Sequence, residues 1–149
     1  MPINECCNTK VVCCDTDASL PDVAALMRKH HVGDVIVVQQ KDAQRVPIGI
    51  VTDRDLVLET IALRVEAEAF TAGDLMSTPI VTVREDEGFI EVLRLMREHK
   101  VRRMPVVTAG GALFGIVTAD DIINLLAMEL SMMTGAIVEQ PEREGRLRK

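Results

Sequence analysis

Two stretches of this chain are near copies of each other, and nothing else in it limits the fold as strongly. Leu26-Met27-Arg28-Lys29-His30-His31-Val32 returns 69 positions later as Leu95-Met96-Arg97-Glu98-His99-Lys100-Val101. Gly49-Ile50-Val51-Thr52 returns 66 positions later as Gly115-Ile116-Val117-Thr118. A duplication of this kind demands two like units that complete each other's core. The three-residue discrepancy falls in one place, where Gln39–Arg45 stands opposite the shorter Thr108–Gly111. An insertion there is expected in a polar hairpin loop, which tolerates changes in length. The same register sets Thr9 on Thr78, Val12 on Val81, Asp17 on Asp86 and Val23 on Val92.

Each copy reads as βαββα. A short β-rich run (Val11 to Cys14; Ile80 to Val83) precedes a helix at about Leu20 to His31 and Gly88 to His99. Val23, Leu26, Met27 and Ile90, Leu93, Met96 recur there at helical spacing. Ser19 is placed to cap the first of these helices, with Pro21 in its first turn. Two apolar strands follow, about Val35 to Val38 with Ile48 to Val51, and Met104 to Val107 with Leu113 to Val117. A last helix closes each half, Asp53 to Ala62 and Ala119 to about Met132. The expected organisation is a first unit over 1–63, a linker over 64–73 and a second unit over 74–133. Residues 134–149 are charged and lack periodicity, and are read as a mobile tail.

Composition supports an α/β (α+β) class. Hydrophobic residues make up 48% of the chain and aromatics only 2%, namely Phe70, Phe89 and Phe114. The core must be aliphatic, as in sheets covered by helices, and base-stacking platforms for single strands are scarce. The net charge of −6 argues against nucleic acid or an anionic membrane as partner. Met1-Pro2-Ile3-Asn4-Glu5 lacks the charged and apolar regions of a leader. No apolar run approaches the roughly 20 residues that span a bilayer; the longest, Asp121 to Met133, is interrupted by Asn124 and Glu129. A cytoplasmic location is expected.

The cysteines form two adjacent pairs, Cys6-Cys7 and Cys13-Cys14. Four thiolates raise the idea of zinc, but adjacent ligands fit the usual spacing poorly. The repeat register sets Cys6-Cys7 on Leu75-Met76 and Cys13-Cys14 on Thr82-Val83, so three of the four stand where the other copy is apolar. Reduced cysteines acting as small hydrophobes are the expectation.

Thr52-x-x-Asp55 and Thr118-x-x-Asp121 open the two closing helices. Threonine at an N-cap with an acid three residues on is close to a capping box. The same groups could clamp a sugar diol, since a carboxylate offers two acceptors. Aspartate is shorter than glutamate, so its carboxylate is expected to reach back to the backbone less easily and to face a ligand. His30 and His99 occupy equivalent places at a helix C-terminus, where a cation suits the dipole. No nucleophile–base pair or paired-carboxylate cluster is evident, so no catalytic residue, no metal and no required cofactor is assigned.

Taken in order and twice over, these motifs resemble the CBS-domain family, named after cystathionine β-synthase, whose tandem pairs form a Bateman module. Gly49-Ile50-Val51-Thr52-Asp53-Arg54-Asp55 and Gly115-Ile116-Val117-Thr118-Ala119-Asp120-Asp121 carry the likeness, as do Asp74-Leu75-Met76-Ser77-Thr78-Pro79 and Val101-Arg102-Arg103-Met104-Pro105-Val106-Val107. The resemblance extends from about Glu5 to Leu130. It implies two halves packed sheet to sheet about a pseudo-twofold axis. Two clefts of that kind commonly take AMP, ADP, ATP, NAD or S-adenosylmethionine.

By the same resemblance, Thr52, Asp55, Thr118 and Asp121 would meet ribose, and Arg102, Arg103 and Arg54 would meet phosphate. Thr9, Lys10 and Val11 would wall adenine in the second cleft, and Thr78, Pro79 and Ile80 in the first. Gly33 and Asp34 stand where the second half has Arg102 and Arg103, so two unequal clefts are expected, the one at Asp121 preferring a phosphorylated ligand. Pro79 and Pro105 are equally expected as rigid turn or strand-start residues. The final helix carries more apolar residues than one core face needs, which points to a homodimer. The expected function is a regulatory adenine-nucleotide binding module acting on an effector protein. The alternatives are a structural dimerisation module with empty clefts, and a thiol or metal sensor.

Overall fold

The computed structural model describes residues 1–147. Two three-stranded sheets form its centre. The first runs β1 (Cys13–Cys14), β2 (Asp34–Lys41), β3 (Gln44–Thr52), with α1 (Leu20–His30) between β1 and β2 and α2 (Asp53–Leu56) after β3. A π-helical turn, Val57–Ile61, extends α2, and α3 (Ala72–Leu75) leads toward the second half. The second sheet repeats the order with β4 (Val83–Arg84), α4 (Phe89–His99), β5 (Arg103–Val107), β6 (Leu113–Thr118) and α5 (Ala119–Leu147). In both sheets the first strand pairs parallel to the second and the second antiparallel to the third. Even the irregularities repeat: the register slips between Val37 and Val38, and again between Val106 and Val107.

The helix boundaries follow local chemistry. The Ser19 hydroxyl accepts from the Asp22 N–H, and Pro21 sits in the first turn of α1. The helices α1 and α4 both end on a left-handed residue, His31 (φ 54°) and Lys100 (φ 55°), which turns the chain into the following strand.

Several elements differ from the sequence expectation. The first strands shrink to two residues each, because Val11 and Val12, like Ile80 to Thr82, approach the sheets mostly without ladder pairing. The extra residues of the first hairpin lengthen β2 and β3 instead of a loop. Asp42 (φ 50°) and Ala43 (φ 61°) form a two-residue turn with both φ positive, whose twist matches that of the strands it joins. Pro105 is the third residue of β5 and not a strand start. It faces Ile116, whose own N–H and C=O bond outward to Asn8. The missing N–H of Pro105 therefore points away from β6, toward a side where β4 pairs only from Val106 on, so no ladder bond is lost.

The largest correction concerns the C-terminus. The segment 134–147, read as part of a mobile tail, is helical as the end of α5, and residues 148 and 149 lie outside the described residues. Gly135, Pro141 and Gly145 are poor helix formers, so intrinsic propensity does not explain the continuation. A second correction comes with it: Ala119–Val138, 20 residues, is long and apolar enough to cross a membrane by length and composition. The two interruptions do not break the helix, because Asn124 and Glu129 are both tolerated in one.

Three apolar clusters hold the molecule. One is Val23, Met27, Val35, Val37 and Val51 of the first half, and a second is Val92, Met96, Met104, Val106, Val117 and Ile122 of the other. The third, Ile36, Val38 and Ile116 with Val11, Ile50, Ile80 and Leu113, joins the two sheets face to face. Each half's own cluster is completed by the segment that precedes the opposite half. Ile3, Cys6 and Cys7 pack into the second cluster, and Ala72, Leu75 and Met76 into the first. The unit boundaries drawn at 63 and 74 are thus crossed by packing: residues 2–8 belong with the second half in space. Glycine makes both crossings possible. A Cβ at Gly49 would lie 2.5 Å from the Met76 Sδ, and one at Gly115 would lie 2.8 Å from the Cys7 Sγ and 2.9 Å from the Asn8 carbonyl oxygen.

Candidate functional site

The closing helices begin where the third strand of each sheet ends, and threonine decides where. Thr52 and Thr118 are extended residues whose Oγ1 accepts from the N–H of Asp55 and of Asp121, each at 3.1 Å. In return one carboxylate oxygen, Oδ2, accepts from the threonine N–H at 2.9 Å in both halves. These are complete capping boxes. Aspartate, expected to reach back less easily than glutamate, does so in both halves. The extended backbone of the threonine brings its own N–H to the carboxylate, so three atoms of side chain suffice. A third box, Thr71 with Asp74, opens α3 by the same geometry and belongs to no cleft expected from the sequence. One oxygen of Asp55 and one of Asp121 remain outside these bonds, and both residues are half-buried.

Between the halves lies a cleft of about 390 Å³, within the volume range of small-molecule sites. Val32, Gly33 and Asp34 line one side, and Arg102, Arg103, Thr118, Ala119 and Asp120 the other. It therefore brings Arg102 and Arg103 together with their repeat counterparts Gly33 and Asp34, and its lining does not include Arg54, Thr52, Asp55 or Asp121. Arg103 is not free to meet phosphate: its guanidinium makes a half-buried ion pair and hydrogen bond with Asp34 of the first half. These two residues occupy equivalent positions of the repeat. A pseudo-twofold axis brings equivalent positions together, and opposite charges there attract where identical ones would repel. Sequence reasoning weighed Asp34 only as an acidic group in a phosphate position; the signal for the pair was the sign change at one repeat position. Arg102 stands 3.6 Å from Asp120, with both side chains largely in water, an arrangement too exposed to hold either firmly. Arg54 is exposed, and its backbone N–H donates to the Asp53 carboxylate at 2.8 Å.

The two helix starts differ at two positions that bear on anions, Asp53 against Ala119 and Arg54 against Asp120, so that α5 has Asp120 and Asp121 in its first turn. At α2 the Asp53 carboxylate covers the Arg54 N–H and lies 3.1 Å from where a Gly33 Cβ would be. At α5 the equivalent residue is Ala119, which has no carboxylate, and its N–H donates to the Arg102 carbonyl. The N-terminus of α5, with its positive dipole end, thus opens beside Arg102 without an aspartate at that position.

The residues expected to wall adenine precede β1 and β4 and follow Asn8 and Ser77. Asn8 bridges to Ile116 on β6, and Ser77 bridges to Ile50 on β3. Thr9 and Lys10 are exposed and Val11 packs into the inter-sheet cluster. Thr78 and Pro79 are exposed; Pro79 and Ile80 line a cavity of about 70 Å³ with Ile50, Val101, Arg103 and Pro105. That cavity is apolar but smaller than a ligand site needs.

All four thiols are held above their ordinary range, chiefly by burial; Asp121 adds to this at Cys6 and Cys7, and Asp15 at Cys14. Cys14 is pushed up to about 11. No group of three or more His, Cys, Asp or Glu among the described residues is placed to hold a metal ion. A thiol with a raised value in the fold stabilises it below the ordinary value and loses that contribution as pH climbs toward the higher one, here between about 9 and 11. Iodoacetamide labelling of Cys14 at pH 8 is expected to be about 100-fold slower in the native protein than in urea, and to accelerate toward pH 11. Equal rates in the two states would show a reactive thiol.

The CBS-domain model matches residues 3–60 and again residues 72–128. The chain belongs to the CBS-domain family. Hypoxic response protein 1 of Mycobacterium tuberculosis is 35% identical over 119 residues, covering 80% of each chain. An uncharacterized protein of Methanopyrus kandleri is 40% identical over 104 residues, 70% of this chain, and this CBS protein spans only 52% of that relative's length. Among solved structures, hypoxic response protein I with two coordinated zinc ions superposes at a TM-score of 0.71, with 32% identity over 83% of this chain and 98% of that one. A CBS domain pair in complex with 5′-methylthioadenosine and S-adenosyl-L-methionine superposes at 0.74 with 22% identity, over 87% and 98%, a likeness of fold.

Proposed function

We propose that this CBS pair is a regulatory module that binds an adenosine-containing ligand, with AMP, ADP, ATP, NAD and S-adenosylmethionine as the candidates, and passes the bound state to an effector protein. The observation that carries the reading is the convergence, in one 390 Å³ cleft, of Thr118, Arg102 and the N-terminus of α5, where Ala119 replaces Asp53 of α2 and Asp120 stands next to it on the cleft wall. The capping boxes take one acceptor site on the Oδ2 of Asp121 and of Asp55, which leaves each carboxylate with acceptors for ribose hydroxyls. The half with Thr118 and Asp121 is the phosphate-preferring one. The half with Thr52 and Asp55 takes a less anionic adenosine compound or none, with Arg54 as its nearest cation. Thr9, Lys10 and Val11, and Thr78, Pro79 and Ile80, are the proposed adenine walls. The module is read as non-catalytic, as cytoplasmic and as a homodimer, without nucleic acid or membrane as partner.

Titration calorimetry of the folded protein with AMP, ATP, NAD and S-adenosylmethionine tests the reading. At least one is expected to bind; silence from all four overturns it. The structural reading, a dimerisation module with unfilled clefts, draws its support from the two capping boxes and the Arg103–Asp34 pair, which occupy groups a ligand would use. The thiol or metal reading is weaker, since burial disfavours the thiolates that metal or redox chemistry requires.

A further inference from the structure

Opposite charges meet across the pseudo-twofold axis at one repeat position, and the cleft wall they belong to carries no net charge. Arg102 and Arg103 bring positive charge to that wall, and Asp34 and Asp120 bring as much negative charge. The acids differ in how firmly they stand. The side chains of Asp120 and Arg102 are 77% and 79% exposed at a separation of 3.6 Å, so either swings aside at little cost when an anion enters. The Asp34 side chain is only 15% exposed, and its carboxylate binds the Arg103 guanidinium. Asp34 is the first residue of β2 and pairs with Thr52 of β3. Arg103 is the first residue of β5 and pairs with Thr118 of β6. Sheet backbone thus fixes both partners, and neither leaves without stranding the other's charge in a half-buried place. A further carboxylate, that of Asp53, stands beside Gly33, 3.1 Å from where its Cβ would be.

We infer that Asp34 is the specificity-determining residue of this cleft: by occupying Arg103 and holding the wall neutral, it makes the cleft take an adenosine monophosphate ahead of the triphosphate. The inference rests on the adenosine-ligand reading and deepens it. A monophosphate needs only Arg102, which Asp120 releases readily, and the opening of α5 beside it. A triphosphate carries about two further negative charges. These must either draw Arg103 away from a fixed carboxylate or lie close to that carboxylate, where like charges repel. Rejection by a built-in repulsive group is a common source of specificity.

Titration calorimetry without divalent metal ions, using adenosine, AMP and ATP, tests this on the native chain and three variants. The native chain is expected to bind AMP about 10-fold more tightly than ATP. D34N keeps the shape of the residue and an acceptor for the guanidinium but loses the charge. It is expected to tighten ATP by about 50-fold and AMP by about 5-fold, which abolishes the preference, and to leave adenosine within about twofold. D34E restores the charge and is expected to restore the preference. D120N removes the exposed acid and is expected to change each affinity by less than about threefold. D34S carries the same test if D34N does not fold. A native chain that binds ATP as tightly as AMP, or a D34N protein that keeps the native preference, overturns the role of Asp34 and leaves the adenosine reading standing. So does a D120N protein that loses the preference as fully as D34N, or a D34N protein whose affinity for adenosine shifts by the same factor as for the nucleotides. Silence of the native chain toward all three compounds also overturns the inference; the adenosine reading then falls only if NAD and S-adenosylmethionine are silent too.

Discussion

Gly115→Val is expected to destabilise the protein by about 2–3 kcal/mol, near the upper end of what overpacking costs, and to lower the melting temperature by about 5–10 °C. The first added carbon would stand 2.8 Å from the Cys7 Sγ and 2.9 Å from the Asn8 carbonyl oxygen. Neither neighbour can yield easily. The Asn8 main chain is fixed to β6 by two hydrogen bonds of 2.9 Å, its N–H to the Ile116 carbonyl and its carbonyl to the Ile116 N–H. Cys7 belongs to the edge of the second cluster, which Ile3 completes from within. The substituted chain must either strain β6 or release residues 2–8, and release exposes Ile3, now fully buried. Gly110→Ala is the control, since its nearest neighbour would be the Thr108 Oγ1 at 3.9 Å; its effect is expected within 0.5 kcal/mol either way. Thermal melts followed by circular dichroism compare the two. A Gly115→Val protein that melts with the native one would show that the N-terminal segment is not docked on β6.

Asp121→Asn separates the two tasks assigned to one carboxylate. The capping box needs an acceptor for the Thr118 N–H, and an asparagine amide oxygen supplies one, so the melting temperature should stay nearly constant. Asp121→Ala removes the acceptor and is expected to cost about 1 kcal/mol, the usual loss for a cap. A ribose hydroxyl bonded to an ionised oxygen is worth about 1.5–3 kcal/mol. Both variants are therefore expected to weaken whichever adenosine ligand the native protein binds by about 10- to 100-fold, measured by calorimetry. Asp55→Asn, with the same capping geometry in the other half, is expected to leave that phosphorylated ligand within a few-fold. Native affinity in Asp121→Asn would mean that the carboxylate serves only its helix.

Much of the architecture was legible in the chain because a duplication is a statement about three-dimensional structure written in one dimension. Leu95–Val101 repeating Leu26–Val32 fixed two equivalent helices, and Gly-Ile-Val-Thr repeated fixed two equivalent strand ends, each followed by a helix. Local chemistry set the caps at Ser19, Thr52 and Thr118, because N–H groups at a helix start take the nearest oxygen regardless of the rest of the fold. What failed were readings that depend on distant partners. Polar residues 39–45 looked like a loop but extend two paired strands, since strand length is decided by the neighbour that accepts the bonds. Residues 134–147 looked like a tail but continue α5, a miss that no distant partner explains. The clefts show the same division. Threonine and aspartate at the right spacing could be named from sequence, but the carboxylate oxygens could be counted as bound or available only once the backbone placed the threonine N–H within reach.

By itself, then, the sequence determined the repeat, the aliphatic core and the two helix-opening motifs, because each depends on residues close together in the chain. Only the tertiary structure decided that Ile3 and Cys6 complete the second half's core while Ala72 and Leu75 complete the first's, that Arg103 is held by Asp34, and that α5 leaves its core-facing stripe after Leu125. Those outcomes come from packing two sheets across a pseudo-twofold axis, which brings residues 69 positions apart into contact; chain order carries no distance across an axis.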